Sequence, residues 1–115
     1  MVNKRDKVTE VFAALADPTR RGILKRLAGC REIRVTALAR PFRISLPGFS
    51  KHLRVLEDAR LIQRHRKGRL HLIRARAAGM REAQKWMAQC AAFWDVKFDA
   101  LDELLKREER KEKRR

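Results

Sequence analysis

At 115 residues the chain is one domain with a modest core, at a size where a second copy would help to cover apolar surface. Lys and Arg number 30 against 14 Asp and Glu, a formal net charge of +16, so the field favours polyanions such as nucleic acid. No apolar run of about 18 residues is present for a membrane span, MVNKRDKVTEVFAAL lacks the features of a signal peptide, and Cys30 and Cys90 give no disulfide framework; a cytoplasmic protein with no membrane partner is expected.

In chain order, Val8, Val11, Phe12 and Leu15 form a helical stripe, and Asp17-Pro18 supplies an N-cap and a first-position proline for a second helix. Ile23, Leu24 and Leu27 are the core face of that helix, and Gly29 ends it. A short third helix is expected near Val35 to Arg40, with Val35, Leu38 and Ala39 inward and Pro41 closing it. It has the place of the positioning helix in a helix-turn-helix.

The segment from Ile44 to Arg76 carries most of the functional information. Ser45 is a good N-cap, and Pro47 sits in the first turn, where its missing N–H costs nothing. Phe49, Leu53 and Leu56 share one side of the helix, while Pro47, Gly48, Lys51, Arg54 and Val55 fall on the other. One face seeks a core, and the opposite face is slim and cationic. The period then changes to that of strands, Leu61 to Arg66 and Arg69 to Arg74, joined by Lys67-Gly68 as a two-residue turn. That turn would set Arg64 opposite His71 and His65 opposite Leu70, with the two imidazoles on opposite faces, which argues against a metal site on the hairpin. A slim helix fits a major groove about 12 Å wide, and Arg66, Lys67 and Arg69 at the hairpin tip can reach flanking phosphates or the narrower minor groove. The order of elements is that of a DNA-reading helix followed by a wing.

The last helix runs from about Ala78 to beyond Leu105, with apolar residues at 83, 86, 87, 90, 93, 94, 98, 101, 104 and 105. This is more apolar helix than a small winged domain covers, so a partner helix from a second copy is expected. The stretch from Lys106 holds seven basic and three acidic residues, and the rest of the chain keeps 23 against 11, a net +12. The excess charge therefore belongs to the folded part. The fold class expected is mainly α with a small β-hairpin wing, a winged helix-turn-helix. Residues 1–106 form the DNA-binding and dimerisation domain and residues 107–115 a basic charged tail.

The stretches FAALADPTRRGILKR, VTALA and ISLPGFSKHLRVLEDARLIQRHRKGR, with a Trp-containing terminal helix, resemble the ArsR family of bacterial winged helix-turn-helix transcriptional regulators over roughly Val8 to Leu105. The resemblance implies a homodimeric repressor that binds a pseudo-palindromic inverted-repeat operator near its own or a neighbouring gene. The first and last helices would form the interface, through Val8, Phe12, Met87, Cys90, Trp94, Phe98, Leu101 and Leu105. By position, Ser45, Leu46, Gly48, Ser50, Lys51 and His52 come to the groove, and Arg66, Lys67 and Arg69 to the wing. Arg54 lies on the cationic side as a phosphate contact, and His52 alternatively packs beside Leu53. Many relatives have glutamine where this chain has Leu46; an amide reads adenine by a bidentate contact, whereas leucine offers only apolar contact, for example to a thymine methyl.

Metal sensing in such proteins uses a cysteine pair before the reading helix, or Asp and His along the last helix. REIRVTALAR has no cysteine, and Asp95, Asp99, Asp102 and Glu103 come without histidine, a hard ligand set suited instead to pairing with Lys97, Lys106 and Arg107. No metal site and no cofactor are expected. Two alternatives stand beside the repressor reading: a thiol-responsive repressor using Cys30 and Cys90, and a non-specific nucleic-acid-binding protein. The latter usually shows stacking aromatics, which this chain spends on core and stripe positions. No phosphate loop, HExxH or base-activated nucleophile suggests an enzyme.

Overall fold

The computed structural model describes residues 6–114; the first five residues of the stretch read for a signal peptide, and Arg115 of the tail, lie outside the described residues. The elements are α1 (Lys7–Leu15), α2 (Pro18–Ala28), β1 (Ile33–Arg34), α3 (Val35–Ala39), α4 (Leu46–Asp58), β2 (Ile62–Lys67), β3 (Leu70–Ala75) and α5 (Ala77–Lys113). The chain divides into two compact units, one ending at Ala83 and one beginning at Gln84. No helix of the described residues is long and apolar enough to cross a membrane.

In the first unit, α1, α2 and α4 each begin where a side chain satisfies an orphan amide. Asp6 accepts from Thr9 N at 2.7 Å, Asp17 from Arg20 N at 3.0 Å, and Ser45 from Gly48 N at 3.2 Å. The apolar faces then meet in one core: Val11 and Ala14 from α1, Ile23 and Leu27 from α2, Leu38 from α3, and Phe49, Leu53 and Leu56 from α4 are all buried. Leu61, Ile62 and Ile73 close it from the sheet side.

The sheet has three antiparallel strands in the order β1-β3-β2, so the wing is not a bare hairpin. Two residues, Ile33 and Arg34, pair with Ile73 and Leu72 to make the added edge. The hairpin register also differs from the expectation. Arg66 faces His71, His65 faces Leu72 and Lys67 faces Leu70, which leaves Gly68 and Arg69 as the turn. The physical reason is Gly68, whose φ of 63° is the left-handed conformation that glycine adopts freely and that the first position of a hairpin turn requires. Because the turn moves by one residue, each pairing shifts by two, and a shift of two preserves the faces. His65 and His71 therefore remain on opposite sides.

The corner after α4 is a Schellman closure. Arg60 N donates to Glu57 O at 2.9 Å and Leu61 N to Leu56 O at 3.0 Å, with Arg60 itself at φ 59°. The first turn of α5 sits directly on this corner: Arg76 N donates to Leu61 O and Gly79 N to Arg60 O, both at 2.9 Å. A Cβ at Gly79 would stand 2.2 Å from Ala59 O, so the close approach depends on glycine.

The second unit is the remainder of α5. Met87, Cys90 and Trp94 recur as Phe98, Leu101 and Leu105 on an eleven-residue period, which keeps the stripe nearly straight along the helix. Trp94 stacks on Phe98 with ring centroids 5.7 Å apart. Lys97 lies 5.5 Å over the Phe93 ring rather than on a carboxylate, while Lys106 pairs with Glu103 at 4.0 Å.

Candidate nucleic-acid interface

Helix α4 is held by one face and exposed on the other. Phe49, Leu53 and Leu56 fix it to the core, and the Phe49 ring meets Phe42 at 5.8 Å. On the outer face Leu46 is 63% exposed, beside exposed Ser45, Ser50, Lys51 and Arg54 and partly covered Gly48. Beyond α4, Arg66, Lys67 and Arg69 are exposed at the end of the β2–β3 hairpin.

His52, read from sequence either as a groove residue or as packing beside Leu53, is partly covered in the structure. Its side chain is 23% exposed, and Nδ1 lies 3.2 Å from Arg20 Nη1. Guanidinium only donates, so Nδ1 accepts, and the 3.9 Å approach to the Asp17 carboxylate is not an ion pair in that state. Arg20 also donates from Nε to Ala14 O at 2.8 Å and from Nη2 to Ala13 O at 3.0 Å. One guanidinium thus caps the C-terminus of α1 and reaches the reading helix. The Arg20 amide, donating to Asp17, holds that carboxyl below its ordinary value, with the Arg20 charge a smaller contribution.

Between α4, the start of α3 and the wing lies a depression of about 410 Å³ lined by Arg34, Val35, Thr36, Leu46, Ser50, Arg64, Arg69, Leu70 and His71. A second depression next to it is lined by Ser50, Lys51, Arg54, Glu57 and Arg64. The groove-facing residues read from sequence are thereby joined by Arg34, Thr36 and Arg64, which sequence reasoning did not single out. Arg34 sits on a strand too short to show a period, and Arg64 is one of several cations in QRHRKGR; only the chain crossing distinguishes them.

The distribution of ion pairs sharpens the electrostatics. Arg60 pairs with Glu10 and Glu82, Arg64 with Glu57 at 3.3 Å, and Arg74 with Glu32 at 2.9 Å. Among the described residues, Lys51, Arg54, Arg66, Lys67 and Arg69 make no ion pair. Glu10, Glu57 and Glu32 thus meet Arg60, Arg64 and Arg74, and the exposed cations of α4 and the wing tip remain open to an external anion. Among the described residues no three His, Cys, Asp or Glu side chains come together as a metal site. Cys30 is exposed just past α2, its Sγ 3.7 Å from Arg26 O and Leu27 O, and Cys90 is half-buried on α5.

A short helix, a turn, a second helix with an exposed cationic face and a basic hairpin define a winged helix-turn-helix DNA-binding protein. A helix-turn-helix domain family matches residues 15–65. The chain is similar to the transcriptional repressor SdpR of Bacillus subtilis, 36% identical over 80 residues, which span 70% of this chain and 88% of that protein. The crystal structure of an ArsR family transcriptional regulator superposes with a TM-score of 0.74 at 35% identity, covering 83% of this chain and 97% of the other. The solution structure of a homodimeric winged helix-turn-helix DNA-binding domain from Mycobacterium bovis superposes at 0.57 with 25% identity, over 85% and 94% of the two chains. The chain belongs to the ArsR family of transcriptional regulators and is not an enzyme.

Proposed function

We propose that the chain is a homodimeric repressor that reads an inverted-repeat operator with α4 in the major groove, and that it acts in the cytoplasm, near its own or a neighbouring gene. The observation that carries this reading is the exposed face of α4, with Lys51 and Arg54 making no ion pair among the described residues, beside the basic tip of the wing. Ser45, Leu46, Gly48, Ser50 and Lys51 meet base edges and adjacent phosphates, and Arg54, Arg66, Lys67 and Arg69 meet backbone. Arg34 and Arg64 join the phosphate contacts at the depression between helix and wing. His52 serves the site through Arg20, by fixing the roll of α4, rather than by touching a base.

Residues 1–106 form the DNA-binding and dimerisation domain, and the basic stretch 107–115 adds charge at the helix end. The interface residues are Val8 and Phe12 on α1 and Met87, Cys90, Trp94, Phe98, Leu101 and Leu105 on α5. The homodimeric relative and the long exposed apolar stripe support this assignment. With no ligand cluster among the described residues, regulation through a bound metal is not part of the proposal.

The test is selection of binding sites from a randomised duplex library at about 200 mM salt, where the purely electrostatic part of binding is weakened. An enriched inverted repeat with half-sites about one helical turn apart, near 34 Å, is the expected outcome. Binding without enrichment would replace this reading with non-specific nucleic-acid binding.

A further inference from the structure

Arg60 sits at the junction of three elements and carries two burdens there. Its backbone is left-handed at φ 59°, a conformation that L side chains rarely adopt, and its side chain is only 18% exposed. Its Nε is buried with no hydrogen-bond partner. A glycine would complete the same Schellman closure without either cost. What the arginine adds is a pair of carboxylates from two other helices: Nη2 donates to Glu82 Oε2 on α5, and Nη1 lies 3.8 Å from Glu10 Oε2 on α1. The same residue accepts from Gly79 N through its carbonyl and closes the end of α4 through its amide. Backbone and side chain together tie α1, the end of α4 and the first turns of α5 at a single point.

We propose that Arg60 is a positioning residue that locks α1 and the first turns of α5 onto the end of the reading helix, and so fixes the separation of the two reading helices in the dimer. The inference rests on the dimeric DNA-reading function proposed above, in which α1 and α5 associate and α4 reads. A dimer discriminates operator spacing only as far as its reading helices are rigidly referred to the elements that associate. Partly covered ion pairs that bridge separate elements resist rotation of one against another more than pairs within one helix do, because breaking either leaves a charge poorly solvated.

The experiment runs the library selection in parallel with the wild-type chain and Arg60→Gly, and records thermal unfolding of both. The expected result is that both enrich the same half-site, while Arg60→Gly accepts it at several spacings. Its discrimination against a spacing changed by one base pair should fall by about tenfold, equivalent to the coupling of one linked pair. Its unfolding midpoint should fall although the backbone burden is removed. Retained spacing preference, or a higher midpoint, overturns the inference. Failure of the wild-type chain to enrich any half-site overturns the DNA-reading proposal and this one with it; failure confined to the comparison of spacings overturns this one alone. If Arg60→Gly does not fold, Glu10→Gln and Glu82→Gln each remove one carboxylate charge while keeping the guanidinium. Both must broaden the accepted spacing, and unchanged spacing in the two overturns the inference.

Discussion

Individual side chains at the interface divide by what they can recognise. Lys51 stands on the exposed face of α4 near its first turns and Arg66 and Lys67 stand on the wing; the proposed reading gives base edges to the first and phosphates to the other two. Lys51→Ala is therefore expected to relax preference at one or two operator positions by about 1 to 3 kcal/mol, while Arg66→Ala weakens all sequences alike and lowers the salt slope by about 1. Binding isotherms on matched and mismatched duplexes over a salt series separate the two; if the Lys51 and Arg66 variants behave alike, Lys51 is a phosphate contact. At the other end of α4, Gly79→Ala forces a methyl against the Ala59 carbonyl and should destabilise the fold by at least about 1 to 3 kcal/mol, read as a shift in urea midpoint. The adjacent Arg60 carbonyl, 2.9 Å from the same Cβ, blocks the easy sideways escape.

The elements are set by their ends as much as by their faces. Asp6, Asp17 and Ser45 begin three helices, and the two carboxylates are held below their ordinary value, chiefly by the amides of Thr9 and Arg20 respectively. Glu32 is lowered in the same direction by the Arg74 side chain that ties it to β3. A carboxyl lowered in the folded state adds stability that is fully present above its unfolded value, here 3.8 for the aspartates, and is lost as pH falls through the lower folded value. The unfolding midpoint should thus decline on acidification from about pH 5 to about pH 2. Asp17→Asn keeps an N-cap but cannot titrate, so its decline should be shallower than that of the wild-type chain. Equal declines would place the acid sensitivity elsewhere.

The helices and the reading face were legible in the sequence because both follow from a 3.6-residue period and from N-caps that act locally: Phe49, Leu53 and Leu56 announced the buried face of α4, and Ser45 announced its start. The edge strand was not legible. Ile33 and Arg34 are too short to show alternation, and they become a strand only because β3 offers an open edge. The hairpin turn was misplaced by one residue because Lys67-Gly68 and Gly68-Arg69 are both acceptable dipeptides, and pairing across the whole sheet decides between them. Position alone left His52 open between the groove and packing beside Leu53, and its partner Arg20, thirty-two residues away in sequence, is a contact that no local pattern announces.

For the whole molecule, the large apolar surface of α5 is the main unresolved cost of a single copy. Trp94 and Phe98 are more than half exposed, and Leu101 is 48% exposed, far more apolar surface than a lone helix tolerates in water. Leu101→Glu should shift sedimentation toward monomer and weaken operator binding by about 100-fold or more, since two linked half-site contacts become one. A dimer that survives this change, with full affinity, would move the interface off the stripe. The net charge of +16 acts at the same scale, drawing any duplex toward the protein before base contacts form.

The sequence by itself determined the helices, their caps, the cationic face of α4, the existence of a wing and a surplus of positive charge, because each depends on periodicity or composition over a few residues. Tertiary structure alone decided the third strand, the register of the wing, the inward turn of His52, the groove formed with Arg34 and Arg64, and the meeting of α1, α4 and α5 at Arg60. Those features join residues far apart in the chain, and no local preference encodes which distant side chain a charged group will find.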